Sequence, residues 1–509
     1  MGVVRFIHVL VWGPWTLVLF LATGLLFTIR SGGFQVRGLP AWWKATVGSL
    51  WDDISTYPEG TQEAPTTADP PAAAPCCAPA ASPPCPPAAP PSCPPTQQQP
   101  PSVTPFQSAC TALAATIGTG NIVGVATALT AGGPGAILWM WVCGLIGMAT
   151  AYAETSLGQQ YRYRKPDGHW MCGPMVTMER GLGCPALGFL YAGFALLASL
   201  GMGSMVQSNS MSGNLEFCAG IPPLASAGIV TALTAAVVLG GIGRISLVAE
   251  RLMPVSAGVY MGASLLVLLF CRDALIPVMG EILADGLRPQ AAGGGLAGFF
   301  LSRSVRYGMS RGVFSNEAGL GSLAVLHGAA EQTEPERQGM WAMFEVFFDT
   351  IVICTMTALV ILCASRKLGV PAGLDGAALA SWCYASCLGA PGRLLVPAAM
   401  TVFAFATIIA WYYLGRQTAA YLLGRWSASP SWLHLYTMLY LAAVFLGCLC
   451  RLELVWLAAD IWNGLMAYPN LLALWLLQKE VRFPQSCGRK KSLPPVKRVA
   501  RASAISLCY

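Results

Sequence analysis

The sequence predicts an all-α polytopic membrane protein of about eleven transmembrane helices, one extra amino-terminal helix followed by two inverted five-helix repeats. Bulk apolarity, the spacing of apolar runs and a pair of matched helix-breaking stretches carry that reading. Of the 509 residues 55% are hydrophobic and only 10% charged, with a mean hydropathy of +0.57, whereas a soluble globular domain carries roughly 25% charge. A helix of about 20 apolar residues crosses a hydrocarbon core about 30 Å thick. Runs of that kind lie near residues 8–29, 106–130, 134–158, 186–214, 224–243, 246–271, 302–327, 340–364, 392–424, 431–450 and 454–478.

The first run follows only Arg5 and His8, and no small-residue cleavage site precedes Arg30, so it reads as a retained helix and not a signal peptide. Residues 1–50 hold this helix and the cytoplasmic start of a loop. Residues 51–105 form an insert whose centre, "PPAAAPCCAPAASPPCPPAAPPSCPP", is Pro/Ala/Cys-rich low complexity, expected to be extended or disordered because it cannot build a core. Residues 106–271 make the first five-helix repeat, 272–301 an extracellular loop, 302–478 the second repeat and 479–509 a basic tail.

The net charge of +7 is spent mostly on orientation and implies no nucleic-acid partner. Arg30, Arg37 and Lys44 follow the first span, Arg162, Arg164 and Lys165 the third, Arg244 and Arg251 flank the next hairpin, and a tail runs from Lys479 to Arg501. If odd-numbered helices end inside, all four clusters are cytoplasmic, as the positive-inside rule asks. The chain is then a multi-pass protein of the cell (plasma or inner) membrane with its amino terminus outside and its carboxyl terminus cytoplasmic. Arg366 and Lys367 fall on the outer side, against the rule.

The eighteen cysteines are scattered, mostly in spans where a lone thiol is a small hydrophobe, and no paired CxxC spacing suggests a metal. Cys76, Cys77, Cys85 and Cys93 belong to the insert, on the side where thiols stay reduced. Zinc-protease, serine-hydrolase and phosphate-loop signatures are absent, and His8, His169, His327 and His434 are dispersed. The chain is not read as an enzyme, and no cofactor is expected.

Within the second span, "ALAATIGTGNIVGVATAL" at residues 112–129, Gly118, Thr119, Gly120 and Asn121 interrupt the helix. The span that opens the second unit is interrupted by Gly312, Asn316, Gly319 and Gly321 in "RGVFSNEAGLGSL". Five spans per unit force the second unit to enter the membrane upside down, and discontinuous helices at matched positions point to a midplane transport site. A break exposes N–H groups for an anion and carbonyls for a cation. A zwitterionic amino acid needs both, and Thr119 and Asn121 add a hydroxyl and an amide. The competing reading gives these glycines to close helix packing.

The stretches "TPFQSACTALAATIGTGNIVGVATAL", "GGPGAILWMWVCGLIGMATAYAET", "RGVFSNEAGLGS", "RQGMWAMFEVFFDTIVICT", "FAFATIIAWYYLG" and "DIWNGLMAYPNLLAL" closely resemble, in order, the signatures of the alanine or glycine:cation symporter family, also called sodium:alanine symporters. The resemblance covers nearly the whole chain except residues 51–103 and the tail. It implies a leucine-transporter-type fold and symport of a small neutral amino acid, alanine or glycine, with sodium as coupling ion, by alternating access within the lipid bilayer. Thr119, Gly120 and Asn121 fall on the family's substrate-cradling segment, Gln207 resembles its substrate-contacting glutamine, and Trp411 the bulky wall that keeps the pocket small. Taken alone, Gln207 reads as an interhelical hydrogen-bonding residue and Trp411 as packing. By analogy of fold, the Thr407 hydroxyl and carbonyls near Thr116 and Ile117 would bind sodium.

Glu154, Glu317, Glu345, Asp349 and Asp460 lie in or near spans, where ionisable groups are costly and are candidates for function. Glu345 and Asp349, four apart, would share one helix face and bind sodium, relay protons or pair with an arginine such as Arg311. Glu317 would tie down or gate the second break. Alternatives to sodium symport are proton coupling through Asp349, or a channel, against which no filter motif or charged ring appears. Oligomeric state is not written in the sequence.

Overall fold

A computed structural model of the chain describes residues 2–51, 103–287, 303–331, 333–371, 373–424, 431–450 and 453–484. Nearly all of the proline- and cysteine-rich insert and the tail from 485 lie outside these residues. The chain opens with α1 (Gly2–Val11) and α2 (Pro14–Arg30). The first half then runs α3 (Pro105–Thr116), α4 (Val123–Gly132), α5 (Ala136–Tyr161), α6 (Pro174–Arg180), α7 (Pro185–Ala219), α8 (Pro223–Val238) and α9 (Gly241–Phe270). After α10 (Arg272–Gly286), the second half repeats the order: α11 (Arg303–Asn316), α12 (Ser322–His327), α13 (Pro335–Leu368), α14 (Gly376–Leu388), α15 (Ala390–Leu423), α16 (Ser431–Leu449) and α17 (Glu453–Leu476). Each half is a broken span, a long helix, a short helix and three further helices. The short helices α6 and α14 occupy the same place in their units.

Among the described residues, seven helices are long and apolar enough to cross a membrane, and α3 with the Thr119–Gly132 piece, bent by 60°, makes an eighth. Three other expected spans depart from the simple picture: α8 has 16 residues, the second broken span splits into α11 of 14 and α12 of six, and α17, with 24, is not among the seven. Several elements were not foreseen, among them α6 between the third and fourth spans. The expected outer loop at 272–301 begins with α10, and α14 stands between the eighth and ninth spans where only a connection was expected.

Local chemistry sets the helix starts. Thr104 and Gln107 form a reciprocal cap at α3, each side chain bonding the other's backbone N–H at 3.1 Å. Proline stands in the first turn of α3, α7, α8 and α13, where its missing N–H costs nothing. Close packing is concentrated on α5: a Cβ added at Gly144 or Gly158 would come within 3.0 Å of Thr350 or 2.9 Å of Ala324. Small residues thus let α5 lie against the second half, the packing role expected of glycine in a membrane.

Cross-contacts between helix ends sort onto two faces. On one, Glu331 N–H donates to Val103 O at 2.8 Å, Arg162 donates to Gly328 and Ala330 carbonyls, Arg164 pairs with Glu331 at 3.1 Å, and Arg337 reaches Ser49 at 3.2 Å. On the other, Asp285 accepts from Gly135 N–H at 2.9 Å, Thr130 donates to Asp375 at 2.8 Å, and Ser304 donates to Gly132 O at 2.7 Å. This second face also holds Arg366, paired with Glu281, and Lys367, which donates to Phe270 O and stands 3.9 Å from Asp273. The two basic residues that broke the charge rule are therefore matched by acids of α10.

Candidate functional site

The first break begins where Ile117 leaves the helical region (φ −76°, ψ 96°). Gly118 N–H donates to Asn121 Oδ1 at 3.0 Å, and Thr119–Asn121 form one tight turn before α4. The last carbonyls of α3 thereby lose the donors a continuing helix would supply. Two helices close on this gap. A Cβ added to Gly118 would lie 3.1 Å from Thr407 Oγ1 on α15 and 3.9 Å from Gln207 Oε1 on α7. Thr407 donates its proton to Phe403 O at 3.0 Å, which leaves its oxygen lone pairs facing the gap. Gln207 donates to Met202 O at 3.3 Å, and its Oε1 is buried with no hydrogen-bond partner.

Trp411, one turn beyond Thr407, is 1% exposed. It packs on Gly203, one turn before Gln207; a Cβ there would sit 2.5 Å from Trp411 Cβ, so only glycine allows α7 and α15 this close. Phe314 of α11 covers the other side, with its ring 3.5 Å from where a Gly120 Cβ would be. The structure thus gathers Thr116, Ile117, Gly118, Thr119, Gly120, Asn121, Gln207, Thr407 and Trp411 around one buried spot. One of them, Asn121, differs from expectation. The Asn121 side chain is used internally, its Nδ2 donating to Asp349 Oδ1 at 2.6 Å, so what it offers a ligand is backbone. Thr116 Oγ1 stands 3.2 Å from Glu345 Oε1.

The second break is held by carboxylates. Glu317 (φ 53°), Gly319 (φ 92°) and Gly321 (φ 85°) take the left-handed conformation, and Glu317 is the one non-glycine residue to do so among those described. Glu154 Oε2, from α5, accepts from Gly319 N–H at 3.1 Å, Gly321 N–H at 3.2 Å and Asn470 Nδ2 at 2.9 Å. Ser322 Oγ donates to Glu317 Oε2 at 2.5 Å.

Glu345 and Asp349 do not act as a pair on one face. A widened, π-type turn, Phe347–Cys354, starts between them and rotates the remainder of α13. Asp349 turns to the first break and α11, where Asn121, Ser315 Oγ (2.8 Å) and Thr350 Oγ1 (3.0 Å) all donate to it. Glu345 faces His327 Nε2 at 2.8 Å, and Gln338 Nε2 holds the other ring nitrogen at 2.7 Å. Arg311 is not the partner of either: it is half-buried, over the Phe314 ring. Asp460 meets His8 at 3.3 Å and fastens α1 to α17. The sequence marked Glu154 as an ionisable residue in a span but not its targets, gave His327 only as one of four dispersed histidines, and signalled nothing of Ser315, Phe314 or Asn470.

Two half-broken spans, one from each of two like-ordered units, enclosing a buried polar spot define a secondary transporter. The chain belongs to the sodium:alanine symporter family, whose sequence pattern matches residues 92–484. It is 36% identical to the sodium/alanine symporter AgcS of Methanococcus maripaludis over 94% of both chains. It is 37% identical to an uncharacterized transporter of Haemophilus influenzae over 92% of both. To the probable sodium/glutamine symporter GlnT of Bacillus subtilis it is 36% identical over 75% of this chain and 77% of that one. It is accordingly a multi-pass membrane transporter and not an enzyme.

Proposed function

We propose that this protein takes up alanine or glycine together with sodium, binding both at the first break and exposing them alternately to the two sides. The observation that carries the reading is Gln207 Oε1, a buried acceptor left without a donor beside Gly118. Burying such a group unpaired costs about 1–3 kcal/mol, which a ligand ammonium or N–H bound there would offset. The backbone of Thr119 and Gly120 faces the same spot and suits the ligand carboxylate. Trp411 and Phe314 enclose it, which favours a side chain no larger than methyl. Trp411→Ala should admit leucine as a competitor of labelled alanine; unchanged competition together with unchanged alanine affinity would refute this pocket.

Sodium is assigned to the carbonyls of Thr116 and Ile117 with Thr407 Oγ1, whose lone pairs remain free. In liposomes the protein should accumulate alanine under an inward sodium gradient at constant pH. Thr407→Val should raise the sodium concentration needed more than it weakens alanine binding at saturating sodium. Accumulation driven by a pH gradient without sodium, and abolished by Asp349→Asn, would replace this reading with proton coupling.

The amino terminus is assigned to the outside and the carboxyl terminus to the cytoplasm, with the six segments drawn from the sequence as functional units. The two-face sorting of helix ends supports one consistent threading, and the basic clusters give its direction. Replacing residues 66–100 by an epitope should preserve uptake and hide the epitope from antibody on intact cells; labelling from outside would reverse the orientation.

A further inference from the structure

Four thiols converge where the outer ends of the two units meet. Cys271 closes α9, Cys363 lies in α13, and Cys383 and Cys387 lie in α14. They are four of the eleven free cysteines among the described residues, and Cys271 neighbours the other three. They are not disposed as a metal centre, since no described group of three or more His, Cys, Asp or Glu is. Cys383 Sγ is directed at Ile361 O, 3.9 Å away, whereas Cys271 Sγ and Cys387 Sγ lie 3.8 Å from each other. A disulfide needs about 2 Å between sulfurs, so less than about 2 Å of closure joins them.

The helix that carries Cys387 packs against both the first broken span and α9. At its start Asp375 accepts from Thr130 of α4 at 2.8 Å, and a Cβ at Gly376 would meet Val123 at 3.3 Å, so α14 rests on the outer half of the first broken span. Toward its end Tyr384 OH meets Ser264 Oγ of α9 at 2.5 Å. One turn later comes Cys387. A bond to Cys271 would add a covalent strap from α9 to α14, which itself rests on α4 of the first broken span.

We propose that Cys271 and Cys387 form a reversible disulfide that fastens α14 and stops the transport cycle. The proposal rests on the assignment of the amino terminus to the outside, which puts both thiols on the oxidising side of the membrane. The reaction is exchange with a small disulfide RSSR. One protein thiolate attacks a sulfur of RSSR, forming a mixed disulfide and releasing RS⁻. The second then attacks the mixed disulfide, forming Cys271–Cys387 and releasing the other RS⁻. The two thiol protons end on the two RSH, and the reagent gains the two electrons. Burial pushes the Cys387 thiol up to about 12, so exchange is slow at neutral pH and quickens as pH rises.

The test uses the full chain in liposomes, treated on both sides with oxidised glutathione. Peptide mapping without reduction should find Cys271 joined to Cys387, faster at higher pH. Sodium-driven alanine uptake should fall in proportion to the joined fraction and return on reduction. Cys387→Ser should transport as the reduced protein does and resist the oxidant. A treated protein with both thiols still free, or with Cys271 joined to Cys363 or Cys383, overturns the assignment; a joined protein that transports undiminished overturns the lock. Failure of the reduced protein to take up alanine strikes the symport reading instead, and the peptide map still decides this one.

Discussion

The two broken spans hold equivalent places in their units and are completed in opposite ways. At the second break the freed amides are satisfied by the protein itself. Ala318 N–H donates to Asn316 Oδ1, Leu320 N–H to Glu317 O, and Gly319 and Gly321 to Glu154. Glu154 keeps one buried oxygen, Oε1, without a partner, and at the first break the neighbouring helices present neutral unfilled acceptors, Gln207 Oε1 and the lone pairs of Thr407. The difference teaches a division of labour. A gap whose freed amides are held by buried carboxylates is a joint, while a gap lined by neutral acceptors is the one proposed to take the ligand. A fixed anion at the first gap would also repel an amino-acid carboxylate.

The sharpest way to break this contrast is to remove the joint. Glu154→Ala leaves two backbone amides without their acceptor and removes one of the two acceptors of Asn470 Nδ2, whose bond to Gly319 O remains; it should cost about 3 kcal/mol or more, read as a large drop in thermal unfolding temperature in detergent. A variant as stable as the parent would show that the second break does not depend on Glu154. The counterpart at the first break is Gly118→Ala. Its methyl would press on Thr407 Oγ1 at 3.1 Å, and the backbone there is extended, which alanine tolerates. Stability should hardly change while apparent alanine affinity falls about tenfold or more; a loss of folding with normal affinity would invert the contrast.

Gln207→Met sharpens it. Removing an unpaired buried acceptor should leave the empty protein as stable as before or slightly more so, while alanine binding loses about 1–2 kcal/mol, near tenfold in Kd. Equal destabilisation of empty and loaded protein would mean that Gln207 is structural. The smallest effect belongs to Ser322→Ala, which deletes one hydrogen bond to Glu317 and should cost about 1 kcal/mol with unchanged KM for alanine. A rise in KM without loss of stability would place the second break within the binding site.

The fold class was legible because membrane crossing is a local demand. A span needs a run of apolar residues, and a break needs glycines and polar residues within it, so both are visible in "IGTGN" and "SNEAGLG". The doubling of the pattern came from counting spans. The helices α10 and α14, of 15 and 13 residues, are shorter than a span, and a search for runs of about 20 apolar residues passes over them.

By itself, then, the sequence determined the order of spans, the two breaks and the residue types that line them. The tertiary structure decided which group faces which. The spacing of Glu345 and Asp349 put them on one face, yet the widened turn at Phe347–Cys354 sends one to His327 and the other to Asn121. Glu154 and Gly319 are 165 residues apart and meet only because small residues let α5 pack against the second unit. The physical reason is one of range. Hydrophobicity and helix propensity act over a few residues, while the satisfaction of a buried polar group is settled by partners that only close packing brings together.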